Sequence, residues 1–74
     1  MLTQDKLPEL IFIAFDFNDT SSMLLGQELM KLNNQLQVQN YNYYDEVINL
    51  LNRFKSAFAF KQIYDLTQQY NARG

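Results

Sequence analysis

Groups that move protons, hold metals or attack carbonyls are scarce in this 74-residue chain. It contains no histidine and no cysteine. Without imidazole or thiolate, most routes to zinc, haem and acid–base catalysis near neutral pH are closed, and a disulfide framework is impossible. The two glycines, Gly26 and Gly74, are too few for a Gly-rich phosphate loop. Serine and threonine hydroxyls have no histidine base, which leaves lysine as the one remaining base for a nucleophile. Among the carboxylates, Asp45 and Glu46 are sequential, so on a helix they point to different parts of the surface. Paired acid–base work needs convergent carboxylates, and no such pair stands out. The expectation is no catalytic residue, no cofactor-binding residue and no metal ligand, hence no enzyme.

One stretch imitates chemical motifs. Ile13-Ala14-Phe15-Asp16-Phe17-Asn18-Asp19-Thr20 resembles the first motif of haloacid-dehalogenase-type phosphotransferases, an apolar strand running into Asp-x-Asp-x-Thr. That resemblance would make Asp16 the nucleophile, but Asn18 stands where a second Asp must transfer protons. The chain is also far shorter than that family's doubly wound domain. Oxygen donors at Asp16, Asn18 and Thr20 imitate an EF-hand loop as well. There Ser21 replaces the required Gly, and Gln27 replaces the closing bidentate Glu. A capped helix start explains the same residues more simply, because Asp19, Thr20, Ser21 and Ser22 can each accept from a helix's orphan N–H groups.

What remains is chemistry of contact. Arg53, Lys55 and Lys61 interleave with Phe54, Phe58 and Phe60 in the one basic-aromatic cluster. Such a cluster suits an acidic protein or a nucleic acid, although three cations are few for phosphate binding. Alternatively the phenylalanines are core and the cations cover its edge. Tyr41, Tyr43 and Tyr44 are rigid amphipathic side chains of the kind favoured in recognition surfaces, or else they close one end of a bundle. Charge is uneven along the chain. Residues 1–52 carry two cations and seven acids, a balance of −5, while residues 53–74 carry four cations and one acid, a balance of +3. That asymmetry can steer a charged partner or align two copies head to tail, or else it is a chance scatter of solvated charges.

These residues sit on elements with helical spacing. Pro8 suits the first helical position and Glu9 its positive dipole end, and Leu7, Leu10, Ile11, Ala14 and Phe15 then recur at helical intervals. Residues 10–17 also alternate as a strand would, but no second convincing strand exists to pair with them, so helix is preferred. A second helix is expected from Ser22 to Gln35. Its Leu25, Leu29, Leu32 and Leu36 form a seam for the core or for self-association, widened by Met23 and Met30. Gly26 within it reads either as close approach of another helix or as simple tolerance of a helix-weakening residue. Seven amide side chains between Asn33 and Asn42 read as a polar loop or a frayed end. A third helix is expected near Asn42, carrying Val47, Ile48 and Leu51. A fourth, with Ser56 as a possible cap, carries Ala59, Ile63, Leu66 and Tyr70. The predicted fold is a single all-α domain over residues 1–74, a small bundle of three to four short helices, with 1–5 and 71–74 frayed.

With the second helix placed, Leu25-Gly26-Gln27 followed by Leu29 and Leu32 resembles a segment of the small enterobacterial YmgB/AriR biofilm and acid-resistance regulators. The likeness runs over residues 22–54, through an amide-rich break and an apolar helix. It implies an all-α dimer that acts as a regulatory connector with DNA or protein partners. The Tyr-rich segment and residues 54–60 have no counterpart in it.

The function expected is therefore a non-catalytic regulator that binds another protein, with self-association into a homo-oligomer. A second class is a stoichiometric neutraliser such as an antitoxin, an anti-defence protein or a bacteriocin immunity protein. A third is a DNA-binding regulator, either helical or a ribbon-helix-helix dimer with residues 10–17 as the paired strand. The six-residue apolar run Leu10 to Phe15 is too short to span a bilayer, and no signal peptide is evident. No membrane partner and a cytoplasmic setting are expected.

Overall fold

A computed structural model describes residues 1–35 and 38–73. A 3₁₀ turn at Gln4–Lys6 leads into α1 (Leu7–Asp16), followed by α2 (Thr20–Gln35), α3 (Tyr44–Arg53) and α4 (Phe60–Arg73). Helix α1 packs along α2, α2 against α3, α3 against α4, and α4 closes back on α1. The all-α bundle expected from the periodicity is what the chain forms. Residues 10–17 belong mainly to α1, so the ribbon-helix-helix arrangement, which needs a strand there, is excluded.

Each helix buries the stripe that its spacing sets. Leu7, Leu10 and Ala14 of α1 face Leu25, Leu29 and Leu32 of α2, with Val47, Leu51 and Ile63 completing the centre. Leu36, the last member of the expected seam, lies outside the described residues. Met23 and Met30 do not widen the buried stripe, since both are 44% exposed. They lie on the flank of α2 that turns towards α1 and solvent. In the loop after α2, Asn40 takes a positive φ of 64°, a conformation that asparagine tolerates better than most residues.

Several boundaries differ from expectation. Helix α2 starts two residues earlier than Ser22, because Asp19 supplies its cap: Asp19 Oδ2 accepts from Ser22 N at 3.1 Å. Helix α3 starts at Tyr44, after Asn42. The Asn42 Oδ1 accepts from Tyr44 N at 3.0 Å and also from Leu2 N at 3.2 Å. Residues 1–5 are not a frayed end, for Leu2 is fully buried and its carbonyl accepts from Tyr43 N at 2.9 Å. At the other end Asn71–Arg73 continue α4. Ser56 caps nothing; α4 begins four residues later, and the Ser56 hydroxyl sits 3.4 Å from that of Ser21.

Candidate interaction surfaces

Asp19 is the centre of a polar knot that joins two turns. Its Oδ2 accepts from the Ser22 hydroxyl at 2.9 Å and from Phe58 N at 3.1 Å, besides Ser22 N. The buried Ser22 hydroxyl in turn accepts from Ala59 N at 2.9 Å. The Phe58 and Ala59 N–H groups before α4 are therefore satisfied by side chains from the start of α2. A helix N-terminus is partially positive, and a carboxylate is stabilised there. Burial pushes the Asp19 carboxyl up, but the Phe58 amide and the Ser22 hydroxyl and amide outweigh it and hold the group below its ordinary 3.8. This is the structural role of the segment that imitates phosphotransferase and EF-hand motifs. Asp16 is exposed on α1, on a helix rather than at the end of a strand.

The Tyr-rich segment is mostly interior. Tyr43 is fully buried, so it is not a contact residue, and Tyr41 meets it edge-on with ring centroids 5.0 Å apart. The half-buried Tyr41 hydroxyl donates to Glu46, which raises its pKa above the ordinary 10. Tyr44 accepts from Gln68 Nε2 at 2.6 Å, tying α3 to α4. Packing at the end of the bundle absorbs all three rings. The hydroxyls of Tyr41 and Tyr44 allow it, because a tyrosine can be packed inward where its O–H finds a partner.

The basic-aromatic cluster divides. Arg53 donates to Glu28 at 3.3 Å, and Lys31 pairs with the same carboxylate at 3.0 Å. Those partners, Lys31 first, hold the Glu28 carboxyl below its ordinary 4.5 against the opposing effect of burial. Lys61 pairs with Asp65 at 3.1 Å, one turn along α4. Phe54 and Phe60 are half-buried, and Phe60 stacks on Tyr64 at 5.9 Å. Phe58 is not core: it is 74% exposed on the α3–α4 turn, between the exposed Lys55 and Lys61. The structure thus keeps Arg53, Lys55 and Lys61 at the surface, buries Tyr43 and leaves Tyr41 and Tyr44 half-buried.

Sequence reasoning missed a third surface. Pro8, Ile11, Phe12 and Phe15 of α1 and Met30, Asn33 and Asn34 of α2 line an open cleft of about 350 Å³. Phe12 stands 74% exposed at its edge. At the other end the Phe15 ring lies over Gly26, where an added Cβ would come within 3.0 Å of the ring tip. Of the two readings of Gly26 close approach holds, and its partner is a ring of α1. The signal was present in α1, whose apolar residues occupy more of the circumference than two neighbouring helices can cover.

Among the described residues no helix is long and apolar enough to cross a membrane. No family model, no curated protein and no solved structure matches this chain.

Proposed function

We propose that this protein is a small non-catalytic regulator that acts by protein–protein contact, as a homodimer carrying a separate partner site. The observation that carries this reading is the pair of exposed aromatic surfaces, the α1/α2 cleft with Phe12 and the α3–α4 turn with Phe58. Apolar surface gathered into a patch on a small domain marks an interaction site more often than scattered single residues do. The resemblance of Leu25-Gly26-Gln27, Leu29 and Leu32 to YmgB/AriR regulators supports the same class of function.

The α3–α4 turn presents Phe58 flanked by Lys55 and Lys61, which suits an acidic protein surface with an apolar pocket. Aromatic anchors ringed by charge are common centres of binding energy. Affinity capture tests the reading with the wild type and with Lys55→Glu/Phe58→Ala/Lys61→Glu. A protein held in stoichiometric amount by the wild type and lost by the triple variant supports it. If the captured protein is a toxin or nuclease, the neutraliser class takes over. Co-purifying nucleic acid whose binding collapses steeply with salt would favour a helical DNA-binding regulator instead.

A further inference from the structure

Phe58 puts a large apolar ring into solvent from a stretch of backbone that is held at every amide. The ring is 74% exposed, while Ala57 and Ala59 on either side of it are buried. The four amides from Ala57 to Phe60 donate in turn to Phe54 O at 3.0 Å, Asp19 Oδ2 at 3.1 Å, Ser22 Oγ at 2.9 Å and Ala57 O at 3.0 Å. The two middle acceptors come from the start of α2. We infer that Asp19 and Ser22 are positioning residues for the contact that Phe58 makes. They hold the α3–α4 turn in the one conformation in which the ring, with Lys55 and Lys61 beside it, meets an acidic protein partner. The inference rests on the proposed reading of that turn as the partner site and adds the residues that make it competent.

The turn's own sequence does not fix it. Phe58 N and Ala59 N find their acceptors 39 and 37 residues earlier in the chain, and the nearby Ser56 caps nothing. Water serves an exposed N–H about as well as a protein acceptor does, so a turn without these two side chains opens at little cost. Ser22 is itself fixed, being fully buried and donating its hydroxyl to Asp19 Oδ2 at 2.9 Å. The buried alanines set the direction of the ring, one residue in, the next out, the third in. Ordering a loose segment on binding costs free energy, and a segment ordered beforehand avoids that cost. The same ring therefore binds more tightly from a held turn than from a loose one.

Charge and position make opposite predictions at Asp19. Removing a carboxylate bonded into this turn makes the surface more positive, so electrostatics alone would strengthen attraction to an acidic partner. Lost positioning weakens it. The test compares the wild type with Asp19→Ala, Asp19→Asn and Ser22→Ala. Amide hydrogen exchange reads the turn, and titration with the purified protein that the wild type captures reads binding. Helix content and continued protection of the Leu29 and Leu51 amides are the folding controls. Asp19→Ala should speed exchange at Phe58 N on the order of tenfold or more and lower affinity on the order of tenfold. Ser22→Ala should do the same at Ala59 N with no change of charge. Asp19→Asn keeps an acceptor and should bind at least as tightly as the wild type. Exchange at Phe58 N no faster in Asp19→Ala overturns the positioning, whatever the turn binds. Faster exchange with affinity equal or higher overturns its use in the contact. A wild type that captures no protein overturns the contact reading, and this inference with it.

Discussion

Two groups of aromatic residues, similar in the sequence, end in opposite places. Tyr41, Tyr43 and Tyr44 cluster among amides and look like a recognition surface, yet they close one end of the core. Phe12, Phe15 and Phe58 lie in apolar runs and look like core, yet Phe12 and Phe58 are each 74% exposed and Phe15 is 37% exposed. Geometry and partners decide this, more than the polarity of the ring. Tyr43 and Tyr44 lie where other elements converge on the start of α3. Leu2 folds in beneath the start of α3, and Gln68 of α4 reaches Tyr44. Helix α1 has apolar residues around most of its surface, and α2 and α4, the two helices that pack most on it, leave the face bearing Phe12 uncovered.

The largest expected effect that would break this contrast lies at Tyr43. Tyr43→Ala should cost about 3–5 kcal/mol, the usual range for emptying a fully buried aromatic site. That is a large share of the stability of so small a domain. Urea denaturation reads it directly, and a loss below about 1 kcal/mol would return Tyr43 to the surface. Leu29, equally buried on α2, should behave alike on substitution by alanine, at about 2–5 kcal/mol.

Next in size is the knot at Asp19. Removing a helix cap typically lowers stability, and on a domain of this size Asp19→Ala should drop the melting temperature by about 4–8 °C. The pH dependence has a definite sign. Because the folded carboxyl is held below its ordinary 3.8, its contribution is present above that value and is lost as pH falls through the folded value. Melting temperature should therefore fall on acidification below about pH 4, and less steeply in Asp19→Asn. An unchanged slope in Asp19→Asn would show that the carboxylate's charge does not sustain the knot.

How much of this was legible follows from range. The four helices could be read because Leu25, Leu29 and Leu32, or Ala59 and Ile63, encode their burial within a few residues. The cap of α4 could not. Its donors, Phe58 N and Ala59 N, meet acceptors 39 and 37 residues away, and the nearby Ser56 was the local decoy. Tyr43 likewise depends on Leu2, some 40 residues earlier, so its local amide-rich context suggested a surface. Arg53, Lys55 and Lys61 are exposed, as a long charged side chain without a buried partner nearly always is, but the sequence left open whether the cluster around them is surface or core. The α1/α2 cleft was hidden because helical periodicity reports that a face is apolar, without reporting whether a neighbour covers it.

A smaller effect sharpens the reading of the exposed face. Gly26→Ala gains about 1 kcal/mol of helix propensity but sets a methyl against the Phe15 ring tip at 3.0 Å. In the wild-type background the two effects should largely cancel. In Phe15→Ala the same change should stabilise by close to the full amount, a coupling that a double-mutant cycle reads out. Independent, additive effects would mean that the ring does not rest on Gly26.

The smallest expected change tests the central contrast most directly. Phe12→Ala, followed by urea denaturation at a concentration low enough to keep the chain monomeric, should leave stability within about 0.5 kcal/mol of the wild type. That result would mean that the more exposed of the two phenylalanines on the α1 face contributes nothing to the fold and is free for a partner. A loss of 2 kcal/mol or more, the scale of a buried aromatic, would put Phe12 in the core and contradict the account.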